Sequence, residues 1–276
     1  MAELQHTADS RALEGFMAFW ADAGVECAYA EEPVDRIAEG ARRLAPKRQE
    51  AAPVHAAPRS QPQFQPQAPA GPSIGEALVE ARAMAAAAGD LAALEAAIAA
   101  FEGCPLKAGT TNTVFSRGRP DAKVMVIGEG PGAEEDRQGQ PFVGPSGRLL
   151  DRMLEAAGLG DQVFITNTVF WRAPANRTPS PPEQAVCTPF VERAIALVRP
   201  QVLLLMGGAS AKHMLKRPEG ILSLRGRWND WTSEDGGLTI PAMPTLHPAF
   251  LLRQPVAKAH AWHDILTLLS RLAGSA

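Results

Sequence analysis

Four short apolar runs, each closed by turn-forming residues, limit what this chain can fold into. They lie at residues 123–128 (KVMVIG), 163–167 (VFITN), 201–207 (QVLLLMG) and 238–247 (LTIPAMPTLH). Each is of strand length and too short for an ordinary helix. Between them, residues 146–159, 182–198 and 210–215 carry apolar residues at helical spacing, with Pro182 placed as a first-turn proline. Strands that alternate with helices run parallel and are joined by right-handed crossovers. The expected fold is therefore α/β: a three-layer α/β/α sandwich around a central four-stranded, mostly parallel sheet. No internal repeat is visible.

The chain ahead of this pattern is of a different kind. Residues 46–73 hold seven prolines among Ala, Gln and Ser, with almost no aliphatic side chains. Such a segment buries too little apolar surface to offset the entropy of ordering it, so it reads as a linker. Residues 1–45 form an acidic N-terminal appendage. Leu13, Phe16, Met17, Phe19 and Trp20 there mark one amphipathic helix ended by Gly24, which either packs on the body or recruits a protein partner. The third segment, 74–276, opens with an Ala-rich stretch that Gly89-Asp90 divides into two helices, Asp90 capping the second.

Composition enters as a set of exclusions. With 46% apolar and 21% charged residues the chain supports a core. No apolar run approaches the roughly 18–20 residues that span a bilayer, and the N-terminus lacks the basic-then-apolar pattern of an export signal. Three cysteines do not make a disulfide framework. A cytoplasmic, nucleoid-associated monomer is expected. The net charge of −3 conceals an asymmetry: the first hundred residues carry 8 Lys and Arg against 14 Asp and Glu, the remainder 19 against 16. The body is thus mildly basic and compatible with a polyanionic ligand.

In a parallel sheet, ligands bind beyond the carboxyl ends of the strands. Those ends carry the turn from Gly128 to Gly132, then Asn167, then Gly207 to Ser210, and finally His247-Pro248. Every candidate polar group falls on one edge. The glycine-rich turn is not a nucleotide site: its spacing matches neither a phosphate-binding loop nor a dinucleotide fingerprint, and Pro131 and the acidic 134–136 run disfavour an anionic cofactor.

Four ordered motifs then carry a resemblance: 128–144 (GEGPGAEEDRQGQPFVG), Ile165-Thr166-Asn167, Pro-Ala-Asn-Arg at 174–177, and 247–253 (HPAFLLR). Together they resemble the uracil-DNA glycosylase superfamily, most closely its family 4, over roughly residues 101–272. The resemblance implies a monofunctional repair enzyme that flips uracil out of DNA, single- or double-stranded, and hydrolyses its N-glycosidic bond. Phe142 is then the ring on which uracil stacks, and Asn167 reads the base edge, accepting from N3–H and donating to O4. Cytosine presents the opposite pattern, and a site built on such bonds rejects the wrong base by on the order of 10⁴–10⁵. His247 donates to O2 as charge builds on the departing base, the backbone around Gly130 lines the pocket, and Glu129 and Glu135 share the carboxylate chemistry. Leu252 and Arg253 belong to a loop entering the minor groove. Ser146 and Ser210, at helix starts, are candidate phosphate partners.

Family 4 also implies four cysteines around a [4Fe–4S] cluster. Here Cys104 and Cys187 remain, while Phe101 and Trp171 stand at the other two positions, so no cluster and no metal are expected. Two rival readings keep the fold: a non-catalytic sensor of uracil-containing or abasic DNA, and an interaction protein working through the N-terminal helix.

Overall fold

The computed structural model describes residues 73–274. The N-terminal appendage and all but the last residue of the linker lie outside the described residues. Two helices open the domain, α1 (Ile74–Ala87) and α2 (Leu91–Ala100). Ser73 and Glu76 form a reciprocal capping box on α1, and the Asp90 side chain accepts from Ala93 N to start α2.

The sheet follows: β1 (Ser116–Gly118), β2 (Val124–Gly128), β3 (Val163–Asn167), β4 (Val202–Met206), β5 (Asn229–Thr232) and β6 (Thr239–Thr245), in the spatial order β1-β3-β2-β4-β6-β5. The four expected strands are the four central ones, and they are parallel. Two further strands, β1 and β5, add antiparallel edges, giving six in place of four. Both are short and half exposed, with sequences SRG and NDWT that bear no apolar signature. Such polar edges discourage a further strand from pairing.

The central strands are buried on both faces, as a parallel sheet requires. Alternation divides them: Met125, Ile127, Leu203 and Leu205 pack with α1, α2 and α5 (Pro181–Val198), whereas Val124, Val126, Leu204 and Met206 pack with α4 (Pro145–Ala156) and α9 (Lys258–Gly274). The two cores make the three layers. Between β2 and α4 lies the short α3 (Ala133–Gln138); α6 (Gly207–Leu215) follows β4, then α7 (Ile221–Leu224), and α8 (Pro248–Arg253) follows β6. No described helix is long and apolar enough to cross a membrane.

Ser210 corrects an expectation. Helix α6 begins at Gly207, so Ser210 falls inside its first turn, fully buried, and donates to the Ile127 carbonyl at 2.7 Å. Its hydroxyl ties α6 to β2 and is unavailable to a phosphate.

Candidate active site

The carboxyl ends of β3, β2 and β6 deliver Asn167, the Gly128-to-Gly132 turn and His247 to one cleft of about 710 Å³. Phe142, Glu129, Glu135, Gly130, Ser146 and Arg253 line the same space. A larger groove of about 1030 Å³ lies at the opposite edge, beside Gln201 and Thr239, and receives none of the strand-end groups.

Asn167 is 2% exposed. Its Nδ2 is buried and has no hydrogen-bond partner among the described residues. A buried donor left unpaired costs about 1–3 kcal/mol, so this atom marks where a ligand acceptor belongs. A Cβ at Gly128 would stand 2.4 Å from Asn167 Oδ1 and 2.6 Å from Phe142 Cζ. Only glycine there lets the carboxamide and the ring approach one another.

Phe142 is buried, and its ring centroid lies 5.7 Å from that of His247, with 30° between the planes. Its backbone sits at φ 55, in the left-handed region. A residue with a side chain held there costs about 1–3 kcal/mol and persists only when its surroundings over-determine it.

His247 caps α8: its Nδ1 accepts from Ala249 N at 3.1 Å. An accepting Nδ1 leaves the proton on Nε2, which can then donate. Burial pushes the imidazole pKa down to about 4, helped by Arg253 and opposed by Glu135. The ring is therefore neutral at physiological pH. Gly207, at φ 89, lets it in: a Cβ there would lie 2.9 Å from His247 Cβ.

The two candidate carboxylates differ. Glu135 is consumed by the backbone, its Oε2 accepting from Gly132 N at 3.1 Å and its Oε1 from Val143 N at 3.1 Å and Gly144 N at 2.9 Å. The Glu129 carboxylate has no such partner among the described residues; only its carbonyl is engaged, by Thr168 Oγ1 at 2.6 Å. Asp136 is buried and accepts from Thr111 N and Asn112 N, which places it outside the chemistry.

Arg253 and Ser146, the latter at the start of α4, line the cleft, whereas Leu252, 42% exposed on α8, does not line it. Sequence reasoning gave no role to two arginines, Arg177 of the 174–177 motif and Arg117. Arg177 lines the cleft and grips Glu183 with both guanidinium nitrogens at 2.8 and 2.6 Å. That grip, set against some burial, holds the Glu183 carboxyl down at about 2. The second, Arg117, bonds the carbonyls of residues 141 and 142. The acidic residue six positions on was a signal for the first; nothing local signals the second.

Away from the cleft, Phe101, Trp171, Cys104 and Cys187 come together in the core under α1, α2 and α5. Phe101 and Trp171 are fully buried, with ring centroids 6.4 Å apart, and Phe190 meets Phe101 edge-on at 5.2 Å. Burial pushes the Cys187 thiol up, and interaction with that neighbouring side chain holds the Cys104 thiol down.

Comparison with known proteins adds names to this geometry. The profile of the uracil DNA glycosylase superfamily matches residues 115–266. A type-4 uracil-DNA glycosylase of Thermotoga maritima is 40% identical over 152 residues, covering 54% of this chain and 77% of that protein. Its counterpart in Sulfurisphaera tokodaii is 38% identical over 158 residues, 55% and 71% respectively. That of Pyrobaculum aerophilum is 35% identical over 182 residues, 64% and 91%.

Proposed function

Because the chain belongs to the uracil DNA glycosylase superfamily, we propose that its strand-end cleft releases uracil from DNA, hydrolysing the N-glycosidic bond and leaving an abasic site. The observation that carries the reading is the unpaired, buried Nδ2 of Asn167 beside an aromatic floor and a proton-bearing imidazole nitrogen.

The reaction follows from how the groups are held. A base must leave the stack before it enters such a pocket, at a cost of a few kcal/mol. Leu252, exposed on α8 between the cleft-lining Phe250 and Arg253, fills the space the base vacates, and Arg253 meets the backbone. Uracil stacks on Phe142, takes a hydrogen bond from Asn167 Nδ2 at O4 and gives one from N3–H to Oδ1. Bond breaking leaves negative charge on the base. His247 Nε2–H, already neutral and oriented, donates to O2 and strengthens most in the transition state. The developing positive charge on the sugar is met by a carboxylate that also orients the attacking water. Glu129 suits that task because its oxygens are unspent. Glu135 instead braces the floor, joining the Gly132 turn to Val143 and Gly144. Among the described residues no lysine lines the cleft, and the proposed reaction is monofunctional, without a Schiff-base step.

The family 4 cluster does not fit the residues present. Two thiols form the whole sulfur donor set in the described core, and no group of three or more metal-ligating side chains occurs among the described residues. Phe101 and Trp171 are packed into the same core as the two buried thiols. No step of the reaction runs through iron. Protein purified anaerobically is expected to lack acid-labile sulfide and absorbance near 400 nm; stoichiometric iron would overturn the assignment.

The test of function is release of uracil from single- and double-stranded oligonucleotides by the full chain. Release that Asn167→Ala lowers by about a thousandfold, with abasic-DNA binding retained, supports the reading. Binding by the natural protein without release identifies a sensor instead. Residues 74–276 form the catalytic unit in this proposal, and deletion of 1–72 leaves release intact while separating any partner-binding role of the appendage.

A further inference from the structure

The strained backbone of Phe142 needs a clamp, and three contacts supply one. Glu135 takes the N–H groups of Val143 and Gly144 on one side. Gly147 of α4 approaches so closely that a Cβ there would stand 1.7 Å from the Phe142 carbonyl oxygen. On the other side, Arg117 on the edge strand β1 donates through Nε to the Pro141 carbonyl at 2.8 Å and through a terminal nitrogen to the Phe142 carbonyl at 3.2 Å. That same nitrogen meets Asp151 of α4 at 2.5 Å. Arg117 does not line the cleft, so it is no ligand of DNA or base there.

A left-handed residue relaxes by turning the peptide planes on either side of it. Glu135 blocks rotation of the planes that follow Phe142. Arg117, gripping two successive carbonyls, holds the plane before Phe142 through the Pro141 carbonyl and shares with Glu135 the plane after it through the Phe142 carbonyl. With either grip lost, the benzyl ring is free to leave the plane in which it faces His247.

We propose that Arg117 is a positioning residue for uracil release, holding the Phe142 backbone so that the ring presents its face to the extruded base, with Asp151 orienting the guanidinium. This rests on the uracil-release reading of the cleft. It also explains why arginine is needed: a planar fork spans two carbonyls and a carboxylate, whereas an ammonium meets them as a point charge.

The experiment compares Arg117→Gln, Arg117→Lys and Asp151→Asn in the full chain on a single-stranded uracil oligonucleotide. Single-turnover release is expected to fall about tenfold to a hundredfold in Arg117→Gln, with KM within about twofold because the phosphate contacts are untouched. Arg117→Lys stays near the glutamine variant, and Asp151→Asn loses less than either. In a Phe142→Gly background, which removes both ring and strain, Arg117→Gln produces no further loss. Additive losses in that cycle, or full rescue by lysine, overturn the proposal and reduce Arg117 to general stability. If Arg117→Gln fails to fold, the lysine variant carries the same readouts. Absence of release by the natural protein sinks the functional reading instead. The clamp then stands or falls on the crystal structure of Arg117→Lys, where Phe142 must have left the left-handed region.

Discussion

The cleft at the strand ends and the aromatic core beneath α1 and α2 are two regions to which the family resemblance assigned chemistry, and they are built on opposite principles. The cleft holds a residue at φ 55 and, among the described residues, an unpaired buried donor and a carboxylate without a partner. The core around Phe101 and Trp171 holds none of these. Its indole N–H reaches Thr113 Oγ1 at 3.1 Å, its thiols are buried, and its rings pack edge to face. Unspent polar groups and stored strain are disadvantages that tend to gather where a ligand can relieve them. A region relieved from within has only stability to contribute.

That contrast sets the experiments. The largest expected effect is in the cleft: His247→Ala lowers uracil release by about a hundredfold to a thousandfold, measured under single turnover, with little change in melting temperature beyond the loss of one helix cap. Phe101→Ala reverses the pattern. It costs about 3–5 kcal/mol of folding stability from the cavity left behind, read as a lowered denaturant midpoint, while the release rate per folded molecule stays unchanged. Equal damage to stability and rate by both substitutions breaks the comparison. The third effect is on pH. With the His247 pKa at about 4, release shows no limb near pH 6.5 and stays within about twofold from pH 8 to pH 5. The unfolded chain binds that proton first, so stability from this group is complete above about pH 6.5. It declines as pH falls toward 4. A titration centred near 6.5 in the rate profile would place a charged imidazole in the mechanism. The smallest effect is Cys104→Ala, expected to cost about 1 kcal/mol through the small void left in the core and to leave release as it was.

Much of this was readable in the sequence, for identifiable reasons. Strand ends follow from where apolar runs stop, so the convergence of Asn167, the glycine turn and His247 on one edge required only the parallel-sheet rule. What was not readable depends on partners distant along the chain. Ser210 looks like a helix-start hydroxyl until its bond to Ile127, 83 positions away, is seen. Glu129 and Glu135 are equivalent in sequence, and only three backbone amides tell them apart. Arg117 sits in a three-residue polar strand that reads as loop, and its value lies in carbonyls 24 and 25 residues later. Edge strands escape detection because half-exposed pairing needs no apolar code.

The two nitrogens of His247 answer to different parts of the molecule. One anchors the first turn of the helix that bears Leu252 and Arg253, and in the proposed reaction the other donates to the departing base. Imidazole chemistry and duplex probing are thereby mechanically geared through a single ring. A glutamine or asparagine installed at 247 to supply an alternative donor must also re-tether that helix, so adaptation at this position is forced to proceed in coordinated steps.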